Sequence, residues 1–324
     1  MIGRRGAACL VALALTLHGA AASAQAPYPN RPIRLIVGFT PGGGVDINAR
    51  LVASRLTEYL GQPAVVENRP GAGTNIANEL VAKAAPDGYT LLFTSGALAV
   101  NMALYRKLPF DALRDFTPVS IFSESPNLLV VSSRMPARDV AELLAAARAK
   151  PGVMNYSSAG TGTTQHMAGE LFKLRTGTDI VHVPFKGSAP SLTALIAGDV
   201  DMTFVNIPAI IQQVRAGRLR PLAYAATRRS ELMPDVPTLQ EVGVSGADVS
   251  VWYGLLAPTG TPREIVHALA NAVGRAARTP DMRQRLLDQG ADPVGNTPEA
   301  FAQLLREEIA RWKEVVAATG IQAD

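Results

Sequence analysis

Cysteine is almost missing from this chain. Cys9 is the only one among 324 residues, and it stands inside an apolar N-terminal stretch. No disulfide framework and no cysteine metal site can therefore be built from the remainder. Charge is also sparse: 18% of residues are Asp, Glu, Lys or Arg, against a usual ~25%. With 48% hydrophobic residues, that excludes a disordered, collagenous or coiled-coil protein. No basic run and no patch mixing basic and aromatic residues occurs, so nucleic acid is not an expected partner. Neither G-x-x-x-x-G-K-[ST] nor G-x-G-x-x-G is present, which removes the usual nucleotide-binding signatures. There is no G-x-S-x-G nucleophile elbow either. No internal repeat suggests a solenoid.

What is present begins with a leader. Arg4 and Arg5 form a positive n-region, and Ala7 to Leu17 an apolar core too short for a ~20-residue membrane span. Ala22-Ser23-Ala24 is a small-x-small cleavage signal, so residues 1–24 are expected to be removed. Losing Arg4 and Arg5 leaves 29 of 31 basic residues against 27 acidic ones, a net charge of about +2. No later segment reads as a membrane span. The expectation is an exported product in a bacterial periplasm, with no membrane insertion of the mature chain.

Short apolar runs alternate with helical periodicity, the pattern of an α/β protein. Strands are expected at Ile33 to Val37, Ala64 to Glu67, Thr90 to Thr94, Leu128 to Val131, Asn155 to Ser157, Ile180 to Val183, Met202 to Val205, Leu222 to Ala226 and Val251 to Ala257. Helices are expected from about Val45 to Leu60, at Ala141 to Ala149, from Met167 through Leu174, and at Leu192 to Ala197. Two further apolar stripes follow, Ile265/Val266/Leu269/Val273 and Phe301/Leu304/Leu305/Ile309/Trp312/Val316. Trp312 reads as a core anchor.

Four strand ends are followed by small, polar, glycine-rich turns and then a helix. These are Thr40-Pro41-Gly42-Gly43-Gly44, Ser95-Gly96, Ser158-Ala159-Gly160-Thr161-Gly162-Thr163-Thr164 and Lys186-Gly187-Ser188. Such turns aim unpaired N–H groups and the positive end of a helix dipole above the sheet, where ligands of open α/β folds lie. Together they imply a small-anion site that needs no lysine. Asp46, just inside the first helix turn, suits capping or holding a water or an amino group. His166 and Glu170 share a helix face, but no third metal ligand follows at a recognised spacing. His166 fits hydrogen bonding near the third loop, and His182, in an apolar strand, a satisfied core residue.

The ordered set of these elements resembles the substrate-binding proteins of tripartite tricarboxylate transporters, the Bug family. The residues that carry it are Tyr28-Pro29 with Pro32-Ile33, Thr40-Pro41-Gly42-Gly43 with Asp46, and Glu67 through Gly73. Pro86 through Leu92, Asp115 through Val119, and Ser158 through Thr164 with His166 and Glu170 come next. Val183 through Gly187, Pro234 through Thr238 and Trp252-Tyr253-Gly254 complete the series.

The resemblance implies an α/β, two-domain periplasmic binding protein of the Venus-flytrap kind (type II-like), with two α/β domains joined by a two-strand hinge. It assigns domain one to residues 26–125 plus 250–324 and domain two to 126–249. Strands near Leu128 to Val131 and Ser250 to Leu255 would cross between them. The resemblance implies no catalytic activity and no cofactor. The ligand would be a small carboxylate, received by backbone around Pro41 to Gly43 and Gly160 to Thr164. Phe39, Ser95, Gly96, Lys186, Gly187 and Ser188 would line the same cleft. The partner would be a membrane permease, and a monomer suits such a shuttle. Asp201 through Asn206 departs from the family's pattern, because Val205 stands where many members carry an acid, while Asn206 keeps the next position. With Val205 there, a ligand without an amine is expected. Two other roles fit the same residues: a sensor subunit read by a signalling kinase, and an exported enzyme on carboxylates using His166 as base.

Overall fold

A computed structural model describes residues 28–321 with the exception of Glu231, so the expected leader lies outside the described residues. The first strand, β1 (Ile33–Val37), is the run IRLIV, buried except at Arg34. A continuous apolar run of this kind suits a parallel strand covered on both faces. It pairs in parallel with β2 (Ala64–Asn68) and β3 (Thr90–Ser95). Helices α1 (Gly44–Leu60) and α2 (Asn75–Ala82) make the two crossovers. A further helix, α3 (Ala97–Leu104), follows β3 directly.

The chain then enters β4 (Phe116–Ser132), a strand of 17 residues. At ~3.3 Å per residue it runs roughly 55 Å. Its first part pairs with β9 (Ser250–Pro258), from Phe116 opposite Pro258 to Pro126 opposite Ser250. Strand β9 in turn pairs with β3, which joins this half into one sheet. Beyond Pro126 the partners change. Asn127 to Val131 pair with β7 (Met202–Asn206), and Asn127 to Ser132 with β8 (Leu219–Ala225). Proline donates no N–H, so it suits the position where a strand changes partners. The returning chain lies alongside: Asn127 Nδ2 donates to Val249 O at 2.9 Å, and Val249 N donates to Ala225 O at 2.8 Å.

The second half repeats the parallel plan. After α4 (Val140–Ala149) come β5 (Asn155–Ser158), α5 (Thr164–Thr176), β6 (Val181–Pro184) and α6 (Ser188–Ala197). Strand β5 pairs in parallel with β6 and β7, and α7 (Ile207–Arg215) leaves β7 without a break. The chain ends with α8 (Arg263–Arg278), α9 (Pro280–Asp288), the short β10 (Asp292–Pro293) and α10 (Pro298–Thr319). None of the described helices is long and apolar enough to cross a membrane.

The apolar faces close three cores. One joins β1, α1 and α8 through Leu35, Val52, Leu56, Leu269 and Val273. A second gathers Leu128, Leu192, Leu195, Val205 and Ile211. The third runs through both halves, from Leu98 and Leu104 by Tyr156, Phe172 and Phe204 to Trp252, Phe301 and Trp312. Trp312 is 1% exposed, and its Nε1 donates to Glu308 Oε2 at 3.1 Å, so the indole is both packed and satisfied.

Candidate functional site

The glycine-rich turns meet where the halves face each other. Helix α1 starts after Gly43, α6 after Gly187 and α7 after Asn206, each without a side-chain capping bond. Their first N–H groups thus lack the side-chain acceptor that commonly satisfies a helix start. Helix α5 differs, since Thr163 Oγ1 accepts from His166 N. Phe39, Gly43, Gly44, Val45, Ser95 and Val251 from the first half face Thr164, Gln165, Ser188 and Asn206 from the second. Between them is a cavity of about 10 Å³, about the room of one water. No charged side chain lines it. Asn206 Oδ1 and Tyr253 OH, both close to where a β-carbon on Gly44 would stand, are buried without a hydrogen-bond partner.

A larger compartment of about 250 Å³ adjoins it, with Phe39 lining both. Its walls are Gly38, residues 70–74 and Tyr105 from the first half, and residues 159–161 and 184–187 from the second. Gly73 (φ 60°) closes its rim: a β-carbon there would overlap Thr161 O and lie 2.7 Å from Tyr105 OH. Two further hollows lie elsewhere. One of about 640 Å³ is bounded by α8 and the start of α10, and one of about 610 Å³ lies beside Pro126 and Ser250.

The sequence-predicted residues therefore separate by role. Phe39, Gly43, Ser95, Thr164, Ser188 and Asn206 line the inner cavity, and Gly160, Thr161, Lys186 and Gly187 the outer compartment. Pro41, Gly42, Gly96, Ser158, Gly162 and Thr163 line neither; they belong to the turns that shape the walls. Sequence reading passed over Val45, Gln165 and Val251, and also Tyr105 and the lining role of the 70–74 turn, while Gly44 and Phe185 stood in elements it had placed at the cleft. Gln165 and Phe185 stand inside motifs already noted, and Gly71 and Gly73 were read only as part of a family turn. Nothing in the local sequence singles out Tyr105 or Val251.

Asp46 does not face the cavity. It accepts from Gly42 N at 3.0 Å, from Arg50 Nε at 3.0 Å and Nη2 at 2.9 Å, and from Asn68 Nδ2 at 2.9 Å. Asn68 Nδ2 also donates to Phe39 O, so the carboxylate ties the first turn to the end of β2. Burial pushes its pKa up, but the bonds from Arg50, Gly42 and Asn68 outweigh that and hold it below the ordinary Asp value. No capacity remains for a ligand's amino group.

His166 also lies outside the linings. Its Nδ1 accepts from Gly162 N at 3.3 Å, and its ring stacks on His182 with centroids 4.0 Å apart. His182 stacks on Tyr156 and pairs with Ser158 Oγ at 2.7 Å. Tyr156 OH donates to Glu170 Oε1, which also receives Lys173 Nζ. Burial lowers the pKa of His166 to about 4, against a small opposing pull from Glu170. Burial and the neighbouring His166 lower that of His182 to about 3. The neutral rings brace the third turn from behind, and His166 has no position from which to act as a base on a bound acid. Among the described residues, no group of three or more His, Cys, Asp and Glu could hold a metal ion.

Val205 points away from the cavity, into the core with Leu128 and Leu195. Strand alternation explains it: Asn206 faces the cavity, so its neighbour faces the opposite side. The expectation drawn from Val205, that its apolar side chain denies a partner to an amine, loses its geometric basis.

Comparison with known proteins accounts for this geometry. Residues 48–321 match the tripartite tricarboxylate transporter family receptor model. The chain is 38% identical to Protein BugT of Bordetella pertussis over 314 residues, 96% of each chain. A Rhodopseudomonas palustris protein solved with adipate superposes with a TM-score of 0.89 at 40% identity, covering 91% of this chain and 99% of that one. MatC of Rhodopseudomonas palustris, solved with bound malate, gives 0.86 at 38% identity, covering 89% and 100%. The fold and site define a two-lobed substrate-binding protein rather than an enzyme. The chain belongs to the tripartite tricarboxylate transporter receptor family, also represented by the Bug proteins.

Proposed function

We propose that this protein captures a small carboxylate between its two halves in the periplasm and delivers it to the membrane permease of a tripartite tricarboxylate transporter. One observation carries the reading: uncapped starts of α1, α6 and α7, from both halves, converge on one cavity without a charged side chain. Helix starts present N–H donors and positive potential to an anion, and bonds to a carboxylate are about twice as strong as neutral ones. Tyr253 OH can donate as well, and a turned Asn206 amide offers two N–H donors. The adipate and malate seen in related structures belong to the same ligand class.

The cavity is closed around roughly the space of a water, so the halves part before an acid enters. The moving bodies are 26–125 plus 250–324 and 126–249. They turn about residues 126–127 and 249–250, where β4 changes partners and the chain returns beside it. Closure is stabilised only by a ligand that prefers the closed form. A ligand without an amine is favoured on a ground other than Val205: no Asp or Glu lines either compartment.

Thermal unfolding of refolded, ligand-free protein against a panel of carboxylates, with sugars and amines as controls, tests the reading. An acid at 100 times its Kd adds about 2.7 kcal/mol. That raises Tm by several degrees, at about 2–4 °C per kcal/mol for chains of comparable size. A shift confined to acids supports carboxylate capture; a shift with sugars alone overturns it. Calorimetric titration with aspartate and glutamate checks the exclusion of amines, which tight binding of either would sink.

A further inference from the structure

We infer that Arg228 of the second half and Asp292 of the first form a clasp beside the hinge, which favours the closed arrangement of the halves and so tunes how tightly a ligand is held. The inference rests on the proposed closing of the halves around a ligand and adds a device that sets its balance.

Each member of the pair is tied to its own half. Arg228 follows the end of β8, and its neighbour Arg229 donates to Glu241 Oε2 and to Pro234 O, each at 2.8 Å. Those bonds fix the segment on the second half. Asp292 opens β10, where it pairs with Glu124 of β4. Val294 N donates to Phe122 O at 2.9 Å, and Ser125 Oγ donates to Gly290 O at 3.0 Å, so this turn is fixed on the first half. Between the two anchored segments, Arg228 Nη2 donates to Asp292 Oδ2 at 2.8 Å.

The link bridges the place where β4 changes partners. Asp292 reaches β4 at Glu124, before Pro126, and Ala225 reaches it at Asn127, just after. A turn of the halves about residues 126–127 therefore moves Arg228 relative to Asp292. The halves also touch directly here, since a β-carbon on Gly290 would lie 2.5 Å from Ile207 Cγ2. Ile207 follows Asn206, which lines the inner cavity, so the contact belongs to the closed form.

The charges around the pair give Arg228 its role. Glu124 and Asp292 stand opposite each other on antiparallel strands, and like charges so placed repel. Burial and the Asp292 charge push the Glu124 pKa up, while Arg228 pulls it down, so the guanidinium acts on both acids. Two other arginines line the same hollow of about 610 Å³. Arg229 is engaged by Glu241, and Arg283, on α9, belongs to the first half and cannot tie the halves together. Parting the halves withdraws Arg228 from two carboxylates at once. The paired side chains are 75% and 43% exposed, and a pair so open to water moves an equilibrium only a few-fold. That size suits a clasp, because a strong link would keep the empty protein shut.

The test compares wild type, Arg228→Met, Asp292→Asn and the double variant by titration calorimetry with adipate and with malate. Spin labels on Leu113→Cys in the first half and Val153→Cys in the second, both exposed positions, report the separation of the halves in the empty protein. No other cysteine follows Cys9, so removal of residues 1–24 leaves only the introduced pair to be labelled. Arg228→Met is expected to bind acid about threefold more weakly, and its label distances to move away from those of acid-bound wild type. The double variant is expected to lose no more than Arg228→Met alone, because both substitutions break one bond. In about 1 M salt the gap between wild type and Arg228→Met is expected to close, as the pair is screened. Unchanged affinity and distances in Arg228→Met overturn the clasp. Tighter binding overturns it too, because the pair would then hold the open form. Losses that add in the double variant overturn the pairing. Distances that follow Arg228 while neither acid binds keep the clasp and count against carboxylate capture; acid binding indifferent to Arg228 fails this inference alone.

Discussion

Gly44 in the first half lies directly beneath the Asn206 amide of the second, so close that a β-carbon at 44 would overlap Asn206 Oδ1 and lie 2.7 Å from Tyr253 OH. The absence of a side chain at the first residue of α1 is thus a condition of closure. Gly44→Ala suits the helix, since alanine is the better helix former. The variant is expected to fold with a lowered Tm, because the added methyl also crowds the buried Tyr253 OH of its own half, at an overpacking cost of about 1–3 kcal/mol. It is also expected to lose at least about tenfold in affinity for whichever acid binds, because the closed form meets the added methyl. Calorimetry and solution scattering with and without ligand measure this, and unimpaired compaction on binding would refute it.

Asp46 illustrates a carboxylate that builds the site without touching its contents. Asp46→Asn removes the charge from the bonds to Arg50, Gly42 and Asn68. The expected loss is about 1.5–3 kcal/mol at neutral pH, the range for hydrogen bonds to charged groups. Because the native pKa is lowered, this stability is fully present above the ordinary value of 3.8 and disappears as pH falls through the native value. Urea unfolding should therefore show wild type and variant converging only below about pH 4. A constant gap down to pH 2 would contradict the charge-based account.

Much of the fold was legible because its strands are continuous apolar runs and its turns are marked by glycine. The full length of β4 was not. Between Phe116 and Pro126 it carries two prolines, Ser120, Ser123, Glu124 and Ser125, which interrupt the apolar run by which a buried strand is recognised. Those serines are buried by distant partners: Ser120 donates to Asn296 O, Ser123 to Asn48 Oδ1 and Ser125 to Gly290 O. No local window contains such pairings. In the site, the glycine turns were visible, but the direction of a polar side chain was not. Asn68 decides it for Asp46 from 22 residues away, and Gly162 and His182 decide it for His166. Val205 is the case where the signal was present, since the alternation that sends Asn206 to the cavity turns its neighbour inward.

Phe301 connects the C-terminal helix to the shared core. Its ring meets Trp252 edge to face, with centroids 5.0 Å apart, and is fully buried over Gly254. Phe301→Ala leaves a cavity at the sheet and is expected to cost about 3–5 kcal/mol. Because that core reaches from α10 to Tyr156 and Phe204, both halves should unfold together in the variant. Near-UV circular dichroism and tryptophan fluorescence would follow one transition, and two separated transitions would show that the halves are independent.

The stacked His166 and His182 give the protein an acid sensitivity in a different window from Asp46. Both rings are held neutral, His166 with a pKa of about 4 and His182 of about 3, below the ordinary 6.5. Between these values the unfolded chain binds protons that the native chain refuses, so unfolding becomes easier as pH falls below about 6.5. The groups around the pair do not reverse this: Glu170 pulls the His166 value up only in part, while Lys173 pushes both down. His166→Gln keeps an acceptor for Gly162 N and cannot take up a proton. It is expected to remove up to about 3 kcal/mol of the stability lost between about pH 6.5 and pH 4. Since Gly162 belongs to the turn that begins α5, ligand affinity in wild type should fall over the same interval and fall less in the variant. Parallel slopes for the two proteins from pH 7 to pH 4 would show that the pair titrates normally and that the third turn owes its shape to other bonds.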